Sequence, residues 1–523
     1  MNVVAANPAQ TAENLRTDRT WFIILWVVCL AGACSSLPLR NGWLGTFSFL
    51  VLAICITTVW RRGEPQIFVI ALGIQWIQAG IAIHYADFFD LDVDFFLFQE
   101  GAATASALTL LSLAVLAIGI RVGVGKSQPK IVQRLLDQLR SMPVRRLMWL
   151  WTIAVILSQL AGPLAGRLGG LRSFVEPFRG LSLAVLCVFG FKVFLERRGY
   201  GAFATVLLGE VFLGFLGFFG KFSSPLMVAV AAWLGSLRRF NPKGLIVGVP
   251  LVGVFAALVV LWMTIKWDYR DFLNHGERTQ AVQVSIPERI HKLVELFGSV
   301  SYNDLEMGID ALVNRATYVT FFGAALQHVP HHTPHENGKL WLGAVTHVFT
   351  PRVLFPKKPV IRESERTMKY TGLSVAGIEQ GTSISLGYPA DSYVDFGYFM
   401  FVPIFLFGLF CGLIYRIFAC SPEPAIGIGL LVPTLMTNFL VESSNIKLVG
   451  GMLSHAIVLY VCHRLFSRKV REWVIGRSKD SDARTLASQT PELMEFRRKH
   501  AELVAGEQLR KPVSKDQSPV AGM

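Results

Sequence analysis

The chain has little charge for its length. Only 16% of its 523 residues are Asp, Glu, Lys or Arg, whereas about 25% is usual in a soluble domain. Hydrophobic residues make up 52% of the chain and are gathered into long runs. A helix needs about 20 apolar residues to cross the hydrocarbon layer of a membrane, and barrel strands are shorter. The composition therefore excludes a soluble enzyme and predicts an all-α polytopic membrane protein.

Metal and disulfide patterns are also missing. The seven cysteines lie in or beside apolar runs, without metal-type spacing, and are interpreted as small apolar packing residues. The run HVPHHTPHENG at 328–338 holds four histidines, but prolines interrupt it and it lacks the helical His pair and carboxylate of a zinc site. This run is predicted to be a surface loop, and no metal is expected.

Recognisable nucleotide chemistry is absent as well. The sequence contains no Gly-rich phosphate loop, no nucleophile elbow and no acidic metal-binding pair typical of nucleotide-sugar transferases. If the chain is a transferase, its donor is expected to be activated without a nucleotide, and no cofactor is expected. A net charge of +14 could suggest nucleic acid, but the bases lie at the ends of apolar runs and in the tail, so no nucleic-acid binding is predicted.

The apolar runs predict about twelve transmembrane helices. They lie at residues 21–39, 43–60, 66–84, 102–120, 147–165, 181–195, 202–220, 224–237, 245–265, 394–417, 425–441 and 448–465. The chain is thus divided into an N-terminal transmembrane bundle (1–265), a long polar interval (266–393), C-terminal transmembrane helices (394–466) and a basic, polar tail (467–523). No internal repeat supports a duplicated transporter half.

The orientation follows from Lys and Arg, which are concentrated on the cytoplasmic side of membrane proteins. Alternate connections are basic, and the connection at 85–101 is acidic with no base between its acids. Arg167, Arg172 and Arg179 are a mild exception to this alternation. The pattern predicts that both termini are cytoplasmic and that 266–393 lies outside, in the periplasm if the source is a bacterium.

The external interval is too long to be a simple connector, and loops of this length are usually functional. Residues 293–326 have the apolar spacing of amphipathic helices. Beyond 326 the chain is rich in His, Pro and Gly and is expected to be irregular.

Two strings in this interval are candidates for chemistry. TPRVLFPKKP at 350–359 holds Arg352, Lys357 and Lys358 between prolines that stiffen the backbone. Such cations suit a phosphate headgroup, although they could instead meet anionic lipid or close the loop onto carboxylates. GYPADSYVDFG at 387–397 places Asp391 and Asp395 four residues apart, on one face of a helix. One of them could act as a general base, or one could cap a helix while the other is solvated.

Two further arginines border apolar sequence. Arg315 lies in LVNRATYVTFF and either reaches the membrane interface or points into a polar cavity. Arg270 lies in WDYRD, just outside a span, where its two acidic neighbours favour a structural role over contact with substrate.

Together, the many spans, the late external interval and the two strings resemble Wzy-type polymerases, which elongate O-antigen, capsule and exopolysaccharide repeat units. The close resemblance runs from Arg315 to Phe399 and includes the Pro-Arg string, with Asp391 at the family's acidic position. Many members have Asn before the Phe-Gly pair, where this chain has Asp395, so the identity of the base stays open.

The resemblance implies a C-type glycosyltransferase-like fold in the bacterial inner membrane. It implies an undecaprenyl-diphosphate-linked oligosaccharide as substrate, with Arg315, Arg352 and Lys358 stabilising the departing diphosphate and Asp391 as base. Nearby side chains that could contact the substrate are Lys357, Tyr388, Tyr393, Asp395 and Arg270. The implied partners are membrane lipid, a flippase and a chain-length regulator.

Two other functions remain open. An O-antigen ligase-like enzyme would use the same donor with a different acceptor. A multi-span transporter would carry ionisable residues at mid-depth, and Glu210 is the clearest such residue in this chain.

Overall fold

The computed structural model describes residues 8–126, 128–168, 171–237, 242–277, 282–350, 354–355, 357–358, 361–377 and 382–475. Side chains are described in these ranges except at 8–19, 242–252 and 437–438. Two compact units are present, Met1–Arg468 and Lys469–Met523; the cavity described below belongs to the first. In the described ranges every regular element is helical.

The first half of the chain forms α1 to α12. Their bounds are α1 Pro8–Ser36, α2 Gly42–Val59, α3 Ile67–Phe88, α4 Val93–Phe96, α5 Ala102–Val124, α6 Pro129–Ser141, α7 Val144–Arg167, α8 Arg172–Val175, α9 Leu181–Glu196, α10 Tyr200–Phe215, α11 Ser223–Ser236 and α12 Pro242–Leu273. A short 3-10 helix, Glu176–Gly180, joins α8 to α9.

The second half forms α13 to α21. Their bounds are α13 Ile286–Ser299, α14 Tyr302–Ala316, α15 Thr320–His328, α16 Lys339–Phe349, α17 Glu363–Thr371, α18 Tyr388–Phe396, α19 Phe401–Ala419, α20 Pro424–Asn438 and α21 Asn445–Ile475. A 3-10 turn, Gly397–Met400, separates α18 from α19.

Each apolar run predicted from the sequence overlaps a helix. In the described part of the chain, seven stretches are long and apolar enough to cross a membrane: Gly42–Val59, Ile67–Phe88, Ala102–Val124, Val144–Arg167, Arg172–Glu196, Tyr388–Ala419 and Asn445–Ile475. Shorter apolar helices lie at Thr20–Ser36, Tyr200–Phe215, Ser223–Ser236 and Pro424–Met436. The all-helical, multi-pass character predicted from composition is therefore confirmed.

Helices α5 and α19 pack with their backbones in contact. Gly119 and Gly123 of α5 face Gly408 and Gly412 of α19, and a Cβ atom added to any of them would overlap a backbone oxygen of the other helix. Small residues spaced four apart permit this close approach in lipid, where packing rather than the hydrophobic effect holds helices together. The pair joins an early span to the first span after the external interval.

Two glutamines of α3 tie distant segments together. The Gln78 side-chain oxygen accepts from the backbone N–H of Val441 at 3.0 Å, and its backbone oxygen accepts from Tyr318 N–H at 3.3 Å. Gln75 accepts from the Tyr388 hydroxyl at 2.9 Å. A polar side chain inside an apolar helix is costly unless it is hydrogen-bonded, so these bonds fix the external interval and the end of α20 on α3.

The external interval is largely helical. The amphipathic helices predicted for 293–326 are present as α13, α14 and α15. The prediction that the chain is irregular beyond residue 326 was wrong, because α16 and α17 lie there. The span predicted to begin at residue 394 is interrupted at Gly397, and its long helix begins at Phe401.

Candidate functional site

A large cavity lies among the helices of the first unit. Its volume is about 1570 Å³, whereas sites for drug-sized ligands are about 300–1,000 Å³. Its wall includes residues of α7, α9, α10, α11, α20 and α21, together with residues of the external interval. The cavity therefore joins the apolar helices to the polar interval that the sequence singled out.

The described lining of this cavity is positively charged. Six basic side chains line it: Arg172, Arg179, Lys221, Arg315, Lys358 and Lys447. Three carboxylates face them: Glu176, Glu210 and Glu442. The excess of cations in a site enclosed largely by apolar helices favours an anionic ligand, since charges interact more strongly where water is partly excluded.

Arg315 is the centre of one charged group. It lies in the last turn of α14. Its Nη1 atom lies 2.5 Å from Oε2 of Glu442, a residue of the short segment between α20 and α21. Lys447 Nζ lies 3.4 Å from the Ser385 hydroxyl, which donates to the Glu442 backbone oxygen at 2.6 Å. The Arg315 side chain remains 52% exposed. We refer to Arg315, Glu442 and Lys447 as the Arg315 group.

Tyr318 holds the wall beside the Arg315 group. Its hydroxyl donates to the Ser385 backbone oxygen at 2.5 Å. Burial raises the pKa of Tyr318, and the nearby Glu442 carboxylate raises it further. Tyr318 is therefore a neutral hydrogen-bond donor at physiological pH, with a positioning role in the wall.

A second charged group is formed by residues of two other connections. Arg179 Nη1 lies 2.6 Å from Glu176 Oε1, and Arg172 Nε lies 3.8 Å from Glu176 Oε2. Lys221 lies in the turn between α10 and α11 and interacts electrostatically with both Arg179 and Glu176. We refer to Arg172, Glu176, Arg179 and Lys221 as the Arg179 group.

The turn that carries Lys221 is held rigidly. Phe215 and Phe222, at its two ends, are stacked with ring centroids 4.2 Å apart. Gly220 has φ 56°, which favours glycine, and a Cβ atom there would overlap the Trp262 ring of α12. Aromatic packing therefore fixes where Lys221 enters the cavity.

Lys358, predicted from the Pro-Arg string, also lines the cavity. Its ammonium group donates to the His347 backbone oxygen at 2.5 Å, in the last turn of α16, where the helix dipole favours a cation. Lys357 is exposed and is not among the described residues that line the cavity. Arg352 lies outside the described residues.

Polar side chains also line the cavity from inside the apolar helices. Glu210 of α10 accepts from Trp151 Nε1 of α7 at 2.7 Å. His455 Nδ1 of α21 lies 3.3 Å from the Thr434 hydroxyl of α20. These side chains continue the polar surface between helices that are otherwise apolar. We call Glu210, Thr434 and His455 the polar floor.

Asp391 has a structural position. It is fully buried and forms an ion pair with Arg366 of α17, and its Oδ2 accepts from the Asn445 N–H at 2.9 Å, at the start of α21. Asp391 is not among the described residues that line the cavity. The expected role as a general base does not fit this position, because both oxygens already serve partners inside the protein.

Asp395 also serves a helix rather than the cavity. Its two carboxylate oxygens accept from the backbone N–H groups of Leu340 at 3.0 Å and Trp341 at 2.8 Å. These are orphan donors in the first turn of α16, so Asp395 caps that helix from a distant part of the chain. The capping role weighed for one of the two aspartates fits Asp395.

The two tyrosines of α18 are anchors as well. Tyr388 is buried and donates to Gln75, as described above, and the Tyr393 hydroxyl donates to the Val329 backbone oxygen at 3.3 Å. The string at 387–397 thus forms an anchoring helix that fastens α3, α15, α16, α17 and α21 to one another. None of its residues is among the described residues that line the cavity.

Arg270 does not point into the cavity lining. Its Nε donates to the Phe218 backbone oxygen at 3.1 Å, and its guanidinium group lies over the Phe218 and Trp267 rings. The structural role expected for Arg270 therefore rests on this hydrogen bond and on cation–π contacts. Arg270 therefore supports the turn between α10 and α11.

The sequence interpretation missed several cavity residues. In the sequence, Arg172 and Arg179 are an exception to the alternation of basic connections. Basic residues in a connection predicted to be external could have indicated the cationic site. Glu442 and Lys447 lie in a connection of a few residues between two spans, where charge is easily taken for a solvated turn. Lys221 stands alone between apolar runs and gave no pattern.

Comparison with known proteins adds no further constraint. No protein-family model, no curated protein and no solved structure matches the chain. Function is inferred below from the residues of the cavity.

Proposed function

We propose that the chain is a membrane glycosyltransferase that polymerises oligosaccharide repeat units linked to undecaprenyl diphosphate. The product would be a surface polysaccharide, such as O-antigen, capsule or exopolysaccharide, made at the periplasmic face of the bacterial inner membrane. The observation that carries the proposal is the cavity, in which six cations face three carboxylates among apolar helices. A diphosphate on a lipid tail combines the charge and the apolar surface that such a site requires.

The proposed topology supports this assignment. With about twelve spans and both termini in the cytoplasm, all six cations of the cavity fall in external connections or in the external interval. Arg172 and Arg179, which break the positive-inside pattern, are two of them. Binding of a diphosphate in the cavity would explain why these basic residues lie on the outer side, where lipid-linked repeat units are exposed.

The reaction joins two lipid-linked oligosaccharides. A hydroxyl oxygen of the acceptor sugar forms a bond to the anomeric carbon of the donor chain, and the bond from that carbon to the diphosphate oxygen breaks. The diphosphate leaves with the electron pair, and Arg315, Lys447 and Lys358 stabilise the charge that develops on it. The hydroxyl proton passes to a carboxylate, for which Glu442 beside Arg315 replaces Asp391 in our proposal.

The proposal is tested by measuring chain length in cells that depend on this protein for their polymer. Arg315→Ala and Lys358→Ala are expected to insert into the membrane normally and to leave single repeat units. Arg362→Ala is the matched control, because Arg362 is 62% exposed, pairs with Glu365 and is outside the described lining of the cavity. Polymer of normal length in both cavity variants would contradict the proposal.

The polar floor favours a second function, transport. Ionisable groups within apolar helices are typical of transporter pathways, and Glu210 and His455 occupy such positions. The two functions are separated by the fate of the repeat units. A transporter variant, Glu210→Gln, would retain them on the cytoplasmic face, whereas an enzyme variant would accumulate them, unjoined, on the external face.

A further inference from the structure

The two charged groups of the cavity have parallel compositions. The Arg315 group combines an arginine, a lysine and one carboxylate. The Arg179 group has the same three kinds of side chain, Arg179, Lys221 and Glu176, with Arg172 in addition. In both groups the carboxylate lies within 2.6 Å of an arginine, so each has an ion pair beside a further cation.

The two groups are built from different parts of the chain. The Arg315 group comes from the end of α14, the connection between α20 and α21, and the first turn of α21. The Arg179 group comes from the connection between α7 and α9 and from the turn between α10 and α11. Arg315 interacts with Glu442 and Tyr318, whereas Lys221 interacts with Arg179 and Glu176. Each group is therefore built around its own arginine–glutamate ion pair in one cavity.

The Arg179 group carries more positive than negative charge. Glu176 is the carboxylate that Arg172 and Arg179 share. Burial lowers the pKa of Lys221, and the charge of Arg179 lowers it further. Keeping Lys221 protonated in the folded protein therefore costs free energy. An anion with two or more charges would remove this cost, because it would balance the remaining cations.

We propose that the Arg179 group is a second diphosphate site, which holds one lipid-linked substrate while the Arg315 group holds the other. This inference rests on the proposed function. Two diphosphates in one cavity repel each other, so each needs its own cations. We assign the departing diphosphate of the donor to the Arg315 group, because this group contains Glu442, the proposed base, and Lys358 lines the same cavity.

The Arg179 group would then hold the acceptor, whose diphosphate bond stays intact. Its arginines and lysine are positioning residues, since they touch a phosphate that does not react. Their loss is expected to weaken acceptor binding and to leave donor binding unchanged. The ligand chemistry common to both groups is a diphosphate, supplied by a lipid or by free pyrophosphate.

The test counts bound ligands on the full chain in nanodiscs, with undecaprenyl diphosphate as the probe. We expect two molecules per chain. The double variants Arg179→Gln/Lys221→Met and Arg315→Gln/Lys447→Met should each bind one, with affinity for the lost site reduced about 10- to 100-fold. Arg167→Ala is the control, because Arg167 is the last residue of α7, next to the same connection, but is outside the described lining, and it should still bind two.

The possible outcomes distinguish failure of the second site from failure of the proposed function. One molecule per wild-type chain, or two molecules on the Arg179/Lys221 variant with unchanged affinity, overturns the second site but leaves the proposed function standing. No binding to the wild-type chain overturns both.

Inorganic pyrophosphate should displace lipid from both sites. If it displaces neither, the lipid is held by its prenyl chain and the diphosphate assignment is wrong. A thermal unfolding scan of each variant separates lost binding from lost folding.

Discussion

Asp391 of α18 forms a buried ion pair with Arg366 of α17, at a point where the sequence favoured a catalytic base. Removing one partner leaves the other charge buried and unpaired, which costs about 3–5 kcal/mol. We expect Asp391→Ala to lower the free energy of unfolding by about that amount, measured by denaturant or thermal unfolding in detergent.

The double variant Asp391→Ala/Arg366→Met is the control for this anchor. Beyond the pair itself, methionine gives up the hydrogen bond from Arg366 Nη2 to Asn445 Oδ1 at 3.0 Å, whereas Arg366 Nε and Nη1 have no hydrogen-bond partner among the described residues. The double variant should recover part of the lost stability. If Asp391→Ala instead unfolds like the wild type and only stops elongation, the residue is catalytic.

Asp395 is predicted to hold the first turn of α16. Asp395→Ala leaves the N–H groups of Leu340 and Trp341 without their acceptor, a loss of about 0.5–2 kcal/mol by analogy with helix caps. Amide hydrogen exchange across Lys339–Phe349 should become faster. Asp395→Asn, which keeps one acceptor oxygen, should have a smaller effect. Unchanged exchange in the alanine variant would rule out the capping role.

The glycine contact between α5 and α19 can be tested by adding a single methyl group. Gly123→Ala places a Cβ atom against the Leu409 backbone oxygen, and overpacking of this kind costs about 1–3 kcal/mol. Gly73→Ala in α3 is the matched control, since no atom lies within 4 Å of a Cβ there. We expect thermal unfolding at a lower temperature for Gly123→Ala than for the control. Equal unfolding temperatures would mean that the helices adjust without strain.

Glu363 should make stability depend on pH. Burial raises the pKa of Glu363 above its usual 4.5, although Arg366 and Lys447 oppose the increase. The folded state then binds the proton more tightly than the unfolded state, so stability falls as the pH rises from about 4.5 through the raised pKa. Above that pKa the loss is complete.

The variant Glu363→Gln removes this dependence and retains an oxygen for the Ser444 hydroxyl, which donates to Glu363 at 3.0 Å. It should unfold at a higher temperature than the wild type at pH 8, and the difference should shrink near pH 4. A variant that is less stable than the wild type at pH 8 would show that ion pairing with Arg366 outweighs the cost of burial.

The sequence predicted those parts of the fold that depend on local pattern. Long apolar runs marked the spans, and helical spacing marked α13 to α15. Helices α16 and α17 were not predicted, because side chains from distant parts of the sequence stabilise them. Asp395 caps α16 from more than fifty residues away, and Arg366 fastens α17 to Asp391.

The site was predicted only in part, for the same reason. Arg315 and Lys358 were chosen as cations near apolar sequence, and both line the cavity. Asp391 and Asp395 were placed on a helix, as α18 has them, but spacing along one helix carries no information about partners on another. Tertiary packing alone brings Lys221 to Arg179 and brings Glu442 to Arg315.

The hydrogen bonds of Gln75 and Gln78 bear on how the chain is assembled. Their partners Tyr318, Tyr388 and Val441 are synthesised more than two hundred residues later, so α3 enters the bilayer with amide groups that have no protein acceptor or donor yet. A nascent chain that stops before Val441 would leave the side-chain amide of Gln78 without this partner in lipid, a state that membrane quality-control proteases could recognise. The cavity wall is thus closed only at the end of translation, when the last helices arrive.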